Sequence, residues 1–383
     1  MPSSLVVRPL PSPCLRRFAN AATTTAALLP SLALLACSPS PAPDVVAADG
    51  VLCDLTQRLA ANDLKVVCLL QPGEDPHQFH LTPQQSQDLK AARLVLINGY
   101  GLTPALKKQA RTVAVAELAV PHTPRLDNPA GDTSKGKGAK PQRDPSKADT
   151  ASQHDSHDGD ISNAKRHSQA GDDGPSHADD AHNHGDLDPH VWHDPAQASA
   201  MVTLVAQQLE VLKPAARQSI AGRAAQMVAV LKRLDRWNRQ QLATMASPTS
   251  PLATSHRAFA SLARAYGLSE LPVVDSLSSS ESLRPQAFES VLAELKRKQV
   301  TMLFAETLPA SKSMQRISAL SGVPIAPAPL VADGLAKAED STTKTSNLVA
   351  TLTANTCLIV NGLKGHCDQT SRGDLIKQWT TIK

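Results

Sequence analysis

The apolar positions fall into two series of short continuous runs, each run followed by a segment with helical spacing. In the first series, residues 44–48 (DVVAA) predict a strand, 51–61 a helix and 65–70 a second strand. Pro83 opens a helix over 83–91, because its fixed φ suits a first turn. ARLVLING reads as another buried strand, followed by a helix near 103–110 and a strand at 112–116. Apolar strands alternating with helices predict a parallel sheet covered on both faces. Residues 195–212 read as a helix, and Pro214 restarts a long one to about residue 246, with Ile220, Met227, Leu231 and Leu234 on one face. About 30 helical residues make a rod of about 45 Å, long enough to serve as the spine of a two-domain body. The second series places strands at PLATS, LPVVD, TMLFAE and VPIAPAP, with helices at 257–266, 285–298 and 311–320. Gly267 and Gly322 close two of these helices. The expected class is α/β: two doubly wound α/β domains joined by one long spanning helix. The two units are not obvious sequence repeats.

One segment breaks the pattern. Residues 123–187 are polar and charged, basic in their first half and rich in aspartate and histidine in the second. A loop of this length inside a compact domain is functional or disordered, so it reads as an insertion in the first domain. The resulting division is a first domain over 44–212, a linking helix over 214–246 and a second domain over 247–383. Eight of the thirteen histidines lie in residues 153–195. His154, His157, His167, His177, His182 and His184 sit in an acidic run without apolar residues to pack. His190 and His193 sit in DPHVWHDP, which has apolar residues, bounding prolines and a helix directly after it. Imidazole and carboxylate together suit a divalent transition metal. The first group therefore reads as a loose collecting tract, the second as part of a fixed site.

The termini and cysteines speak to compartment. Arg8, Arg16 and Arg17 precede a mostly apolar run over 18–36, the form of an export signal over residues 1–37. Its end, Leu34-Leu35-Ala36-Cys37, resembles a bacterial lipoprotein box in which the cysteine becomes the acylated first residue. An ordinary cleaved signal that happens to contain cysteine is the other reading. Beyond the signal, no stretch approaches the roughly 18 apolar residues of a membrane span. Cys14 and Cys37 belong to the signal, leaving Cys53, Cys68, Cys357 and Cys367. Local pairing of Cys53 with Cys68 and Cys357 with Cys367 is the simplest of three connectivities, and the absence of Cys-x-x-Cys spacing disfavours a zinc-thiolate site. A net charge of +4 and 3% aromatics exclude a nucleic-acid role from bulk properties.

Ligands of α/β sheets bind at strand ends and the loops that follow. His77 lies after the strand ending at Leu70, His190 just before a helix, His256 directly after PLATS, and Asp333 after VPIAPAP. Two come from each series at comparable topological positions, so a cleft between the domains would bring them together. GEDPHQFHLTP with ARLVLINGYGL, then DPHVWHDP, SHRAFASLARAYGL and LFAETLPASK, in that order, resemble the substrate-binding proteins of bacterial zinc and manganese ABC importers. The resemblance covers nearly all of residues 44–340. It implies two α/β domains joined by a long helix, metal ligands at His77, His190, His256 and Asp333, and Glu306 as support for the site. Zinc members of that family typically carry an acidic, histidine-rich loop where this chain has residues 153–187. His80 and His193 depart from the family pattern and are candidates for auxiliary or alternate ligands. The segment after Asp333 matches loosely.

Three neutral imidazoles and one carboxylate form a nitrogen-rich set suited to zinc, whereas manganese prefers more oxygens. The expected function is capture of extracytoplasmic zinc, bound as cargo in an inter-domain site and delivered to an ABC permease at the cytoplasmic membrane. The protein is expected to be a monomer held at the outer face of that membrane, or in the periplasm, by its lipid anchor. Two alternatives stand beside it: a manganese receptor of the same family, and a zinc-buffering surface protein acting through the tract. An enzyme is disfavoured, since neither a His-Glu-x-x-His helix nor a Gly-x-Ser-x-Gly elbow occurs.

Overall fold

Four short strands, β1 (Val45–Ala47), β2 (Val66–Cys68), β3 (Leu94–Ile97) and β4 (Thr112–Ala114), form a parallel sheet in the order β2-β1-β3-β4. Val45 stands opposite Val66 on one side and Leu94 on the other. Further along the chain, β5 (Leu252–Thr254), β6 (Glu270–Pro272) and β7 (Leu303–Phe304) form a second parallel sheet in the order β6-β5-β7. A parallel bridge from Leu303 to Ile325 adds a fourth position beside β7. Both sheets thus follow one winding order, although their sequences are not similar. The computed structural model describes residues 42–107, 109, 111–123, 187–246, 250–274, 285–338 and 346–383. The signal with Cys37 and the tract histidines His154, His157, His167, His177, His182 and His184 lie outside the described residues.

The period-two alternation of a strand divides each sheet between two cores. From β1 and β3, Val45, Ala47, Leu94 and Leu96 join the main core, while Val46 and Val95 turn to a smaller one under helix α2 (Pro83–Ala91). In the second sheet Leu252 and Phe304 join the main core, and Ala253 and Leu303 pack outward with Met314 and Ile317. The main core therefore runs without a break from one sheet to the other.

Helix starts follow local chemistry. Asp49 caps α1 (Gly50–Ala60) by accepting the Leu52 N–H at 2.9 Å. Thr82 and Gln85 form a reciprocal capping box at α2, with Pro83 in its first turn. After α3 (Val115–Ala119), α4 (Pro195–Leu212) packs along α5 (Arg217–Leu242). The latter has 26 residues, about 39 Å of helix. It begins three residues later than expected, because Pro214–Ala216 form a separate tight turn. It also touches α1, α9 (Leu348–Gly362) and α10 (Gln369–Thr381). Between them α6 (Ala260–Tyr266), α7 (Pro285–Arg297) and α8 (Lys312–Ser321) complete the second unit.

Three expectations need correction. The helix near 103–110 is only the turn Pro104–Leu106; Lys107, Gln109 and Arg111 offer no apolar face to extend it. The strand at 112–116 ends at Ala114, where α3 begins. VPIAPAP makes one bridge instead of a strand, since Pro324, Pro327 and Pro329 have no N–H to give a ladder. The C-terminal helices α9 and α10 had no sequence forecast. They are tied to the first unit by Asp54, whose Oδ2 accepts the Leu348 N–H at 2.9 Å and the Trp379 Nε1–H at 2.8 Å. Disulfides join Cys53 to Cys68 and Cys357 to Cys367. Among the described residues no helix is long and apolar enough to cross a membrane.

Candidate metal centre

Each of four side chains reaches one point from a loop that its own sequence fixes. His77 is the middle residue of the tight turn Pro76–Gln78, where Asp75 Oδ1 accepts its N–H at 2.8 Å. His190 precedes the turn Val191–His193, anchored by the buried Val191 and Trp192. Asn98, at the end of β3, donates to the Pro189 carbonyl at 2.8 Å and holds that loop to the sheet. His256 follows β5; Thr254 Oγ1 donates to its carbonyl at 2.9 Å. Asp333 follows Val331, whose N–H and carbonyl are both bonded by the Asn355 side chain of α9, at 3.0 and 2.7 Å. Gly334 next to it adopts φ +79°, a conformation open to glycine without strain.

One ligand-capable atom from each of His77, His190, His256 and Asp333 lies within 4.8 Å of the others. Asp333 Oδ1 stands 2.9 Å from His190 Nε2 and 3.2 Å from His77 Nε2, and its Oδ2 3.7 Å from His256 Nε2. His190 and His256 are fully buried, and the side chains of His77 and Asp333 are 3% and 9% exposed. His256 Nε2 has no hydrogen-bond partner among the described residues.

Carboxylates hold the far sides of two rings. Asp188 Oδ1 accepts from His190 Nδ1 at 2.9 Å, and Glu306 Oε1 from His256 Nδ1 at 2.5 Å. A carboxylate behind each imidazole fixes its tautomer and leaves Nε2 facing the centre, as metal-binding histidines require. Burial alone would depress His190, but its bonds to Asp188 and Asp333 outweigh burial and lift its pKa to about 10. His256 is raised in the same way: Glu306 and Asp333 overcome burial. Asp333 would be raised by burial, yet the N–H of His190, the charge of His256 and the N–H of His77 hold it well below the usual carboxylate range. Protons on His190 and His256 thus balance the carboxylates, and a divalent cation held here would take their place.

The other named residues lie elsewhere. His80 is exposed, with Nδ1 bonded to the Gln78 carbonyl at 2.7 Å. His193 is buried against Phe259, and its Nε2 donates to the Ala332 carbonyl at 2.9 Å, behind Asp333. Burial, reinforced by the charge on His190, lowers its pKa to about 4. Neither ring joins the four-atom cluster. Sequence reasoning missed Asp188, Asn98 and Asn355. A signal for Asp188 was present: Asp75-Pro76-His77 and Asp188-Pro189-His190 repeat one tripeptide, and in both the aspartate accepts the histidine N–H.

Comparison with known proteins points the same way. The manganese-binding lipoprotein MntA of Bacillus subtilis (strain 168) is 22% identical over 280 residues, covering 71% of this chain and 74% of its own. The iron ABC transporter substrate-binding lipoprotein MtsA of Streptococcus pyogenes serotype M1 is 21% identical over 289 residues, 73% of this chain and 77% of its own. The periplasmic zinc binding protein TroA from Treponema pallidum superposes with a TM-score of 0.62 at 21% identity, covering 84% of this chain and 99% of its own. TroA thus shares the fold, and the three proteins carry the names of three different metals. The family model described as ZnuA, zinc-uptake complex component A periplasmic, matches residues 45–362. Spanned by that model over most of its length, the chain belongs to the ZnuA family, metal-binding substrate-binding proteins of ABC importers and not enzymes.

Proposed function

We propose that this protein captures zinc outside the cytoplasm, as cargo, with His77, His190, His256 and Asp333 as ligands, and delivers it to an ABC permease. The observation that carries this reading is the convergence of three imidazole nitrogens and one carboxylate within 4.8 Å of one another, largely buried. Such a nitrogen-rich set matches tetrahedral zinc, at about 2.0–2.1 Å per Zn–N bond. The ring-orienting bonds from Asp188 and Glu306 support it, because a pre-set site loses little freedom when the ion binds. The reading places the cleft between lobes 44–212 and 247–383, linked by residues 214–246. It has Cys37 lipidated and tethering the chain to the membrane, and gives the tract over 153–187 an auxiliary zinc-collecting role.

A manganese receptor is the second reading, favoured by the names of relatives such as MntA. Metal content of protein purified without added metal, followed by competition titration with zinc and manganese, separates the two. The zinc reading expects one tightly held zinc that survives deletion of residues 153–187. Manganese as the retained ion overturns zinc as cargo. Loss of nearly all binding on deletion makes the chain a buffer acting through its tract.

A further inference from the structure

Asp188 is fully buried, and its carboxylate is shared between two distant parts of the chain. Oδ1 accepts the backbone N–H and the ring Nδ1–H of His190, each at 2.9 Å. Oδ2 accepts the Ser261 N–H and the Ser261 Oγ–H, each at 3.2 Å. Ser261 is buried in the first turn of α6, the helix that follows the His256 loop. That helix has no local side-chain cap. Its leading amides are instead satisfied from outside: Glu270 on β6 accepts the N–H groups of Ala258 and Phe259 at 3.1 and 2.9 Å, and Asp188 accepts that of Ser261.

A buried helix start needs partners for its amides, and here one partner is also the group that orients His190. Formation of the His190 turn does not require this reach. In the sister tripeptide Asp75 accepts the His77 N–H in the same way, yet among the described residues its second oxygen takes the nearby Gln78 side chain, at 2.8 Å. Asp188 alone of the two extends to the other sheet's helix.

We propose that Asp188 is a positioning residue that sets the spacing between His190 and His256. It holds one imidazole directly and, through Ser261, the helix that follows the other in the chain. This rests on the reading that both histidines bind the metal. The consequence is specific: Ser261, which touches no ligand, influences metal binding through Asp188.

The test is a double-variant cycle on the full chain, comparing wild type, Asp188→Asn, Ser261→Ala and the combination, with His256→Ala as a ligand control. Zinc affinity is read by competition, and the visible spectrum of bound Co2+ reports the angles among the ligands. Asp188→Asn is expected to weaken zinc by about 10–100-fold, as losses of outer partners do, and to alter the cobalt spectrum. Ser261→Ala, which retains the backbone bond, is expected to weaken zinc on the order of threefold to tenfold. The combination is expected to be no weaker than Asp188→Asn alone, because both act on one linkage. Penalties that add, or a Ser261→Ala protein that binds zinc and cobalt as wild type does, overturn the proposal. Should Asp188→Asn fail to fold, Ser261→Ala carries the test by itself. If His256→Ala loses zinc while the other variants keep it, only this linkage falls. If His256→Ala also binds as wild type, the ligand assignment falls with it.

Discussion

Glu270 carries a carboxylate buried against the backbone amides of Ala258 and Phe259, and burial lifts its pKa to about 7. In the unfolded chain it loses its proton near 4.5. Between those values the folded state binds more protons, so Glu270 makes stability fall as pH rises, and the penalty is complete above pH 7. It amounts to at most about 3 kcal/mol. Glu270→Gln keeps an oxygen for the two amides without the charge. Relative to wild type, the variant should gain stability from pH 5 to pH 8 in urea unfolding of metal-free protein; a constant difference across that range contradicts this. His256 sets the metal in the proposed reading. His256→Glu places a second carboxylate beside Glu306 and leaves two imidazoles, so the zinc-over-manganese affinity ratio should narrow. It should not invert, since zinc exceeds manganese at nearly any such site. His256→Ala should weaken zinc markedly. Competition titration of both ions against both variants checks this; an unchanged zinc affinity in His256→Ala removes His256 from the ligand set.

Elements whose formation is governed by local chemistry were legible before the structure. The bounds of α2 follow from Thr82, Pro83 and the run to Ala91, and those of α4 from Pro195 and Pro214. Where tertiary context decides, sequence patterns fell short. VPIAPAP has strand-like apolar content but lacks the donors for a ladder, and α9 carries little amphipathic signal because nearly all of its faces are buried. The four residues that converge were legible because His77, His256 and Asp333 each follow an apolar run, and because the resemblance names all four, His190 included. Of the partners behind them only Glu306 was named, through the resemblance; Asp188 to Ser261 and Val331 to Asn355 are contacts made only on folding. The disulfide between Cys357 and Cys367 closes the segment from α9 to α10, a separation of 10 residues. By chain entropy it contributes about 3 kcal/mol. Cys357→Ala/Cys367→Ala should lose about that much in denaturant unfolding; a variant as stable as wild type shows the crosslink to be dispensable.

On the scale of the whole molecule, two sheets of one winding order share a continuous core, bound together by α5 and by the return of α9 and α10 to Asp54 on α1. Arg58 reinforces that return by donating to the Trp379 carbonyl at 2.7 Å. Such a frame brings the loops at the strand ends of both sheets to one point, which is why residues 256 positions apart, His77 and Asp333, come within 3.2 Å of each other. The insertion leaves and re-enters at one place: Thr123 Oγ1 donates to the Asp188 carbonyl at 2.7 Å, two residues before His190. The central claim is that the cargo ion sits among His77, His190, His256 and Asp333. Anomalous diffraction at the zinc edge, from crystals of protein loaded with one equivalent of zinc, tests it most directly. One dominant peak is expected, about 2.0–2.1 Å from a nitrogen of each of the three imidazoles and bonded to the Asp333 carboxylate. Zinc density found elsewhere, with none at these four side chains, would contradict it.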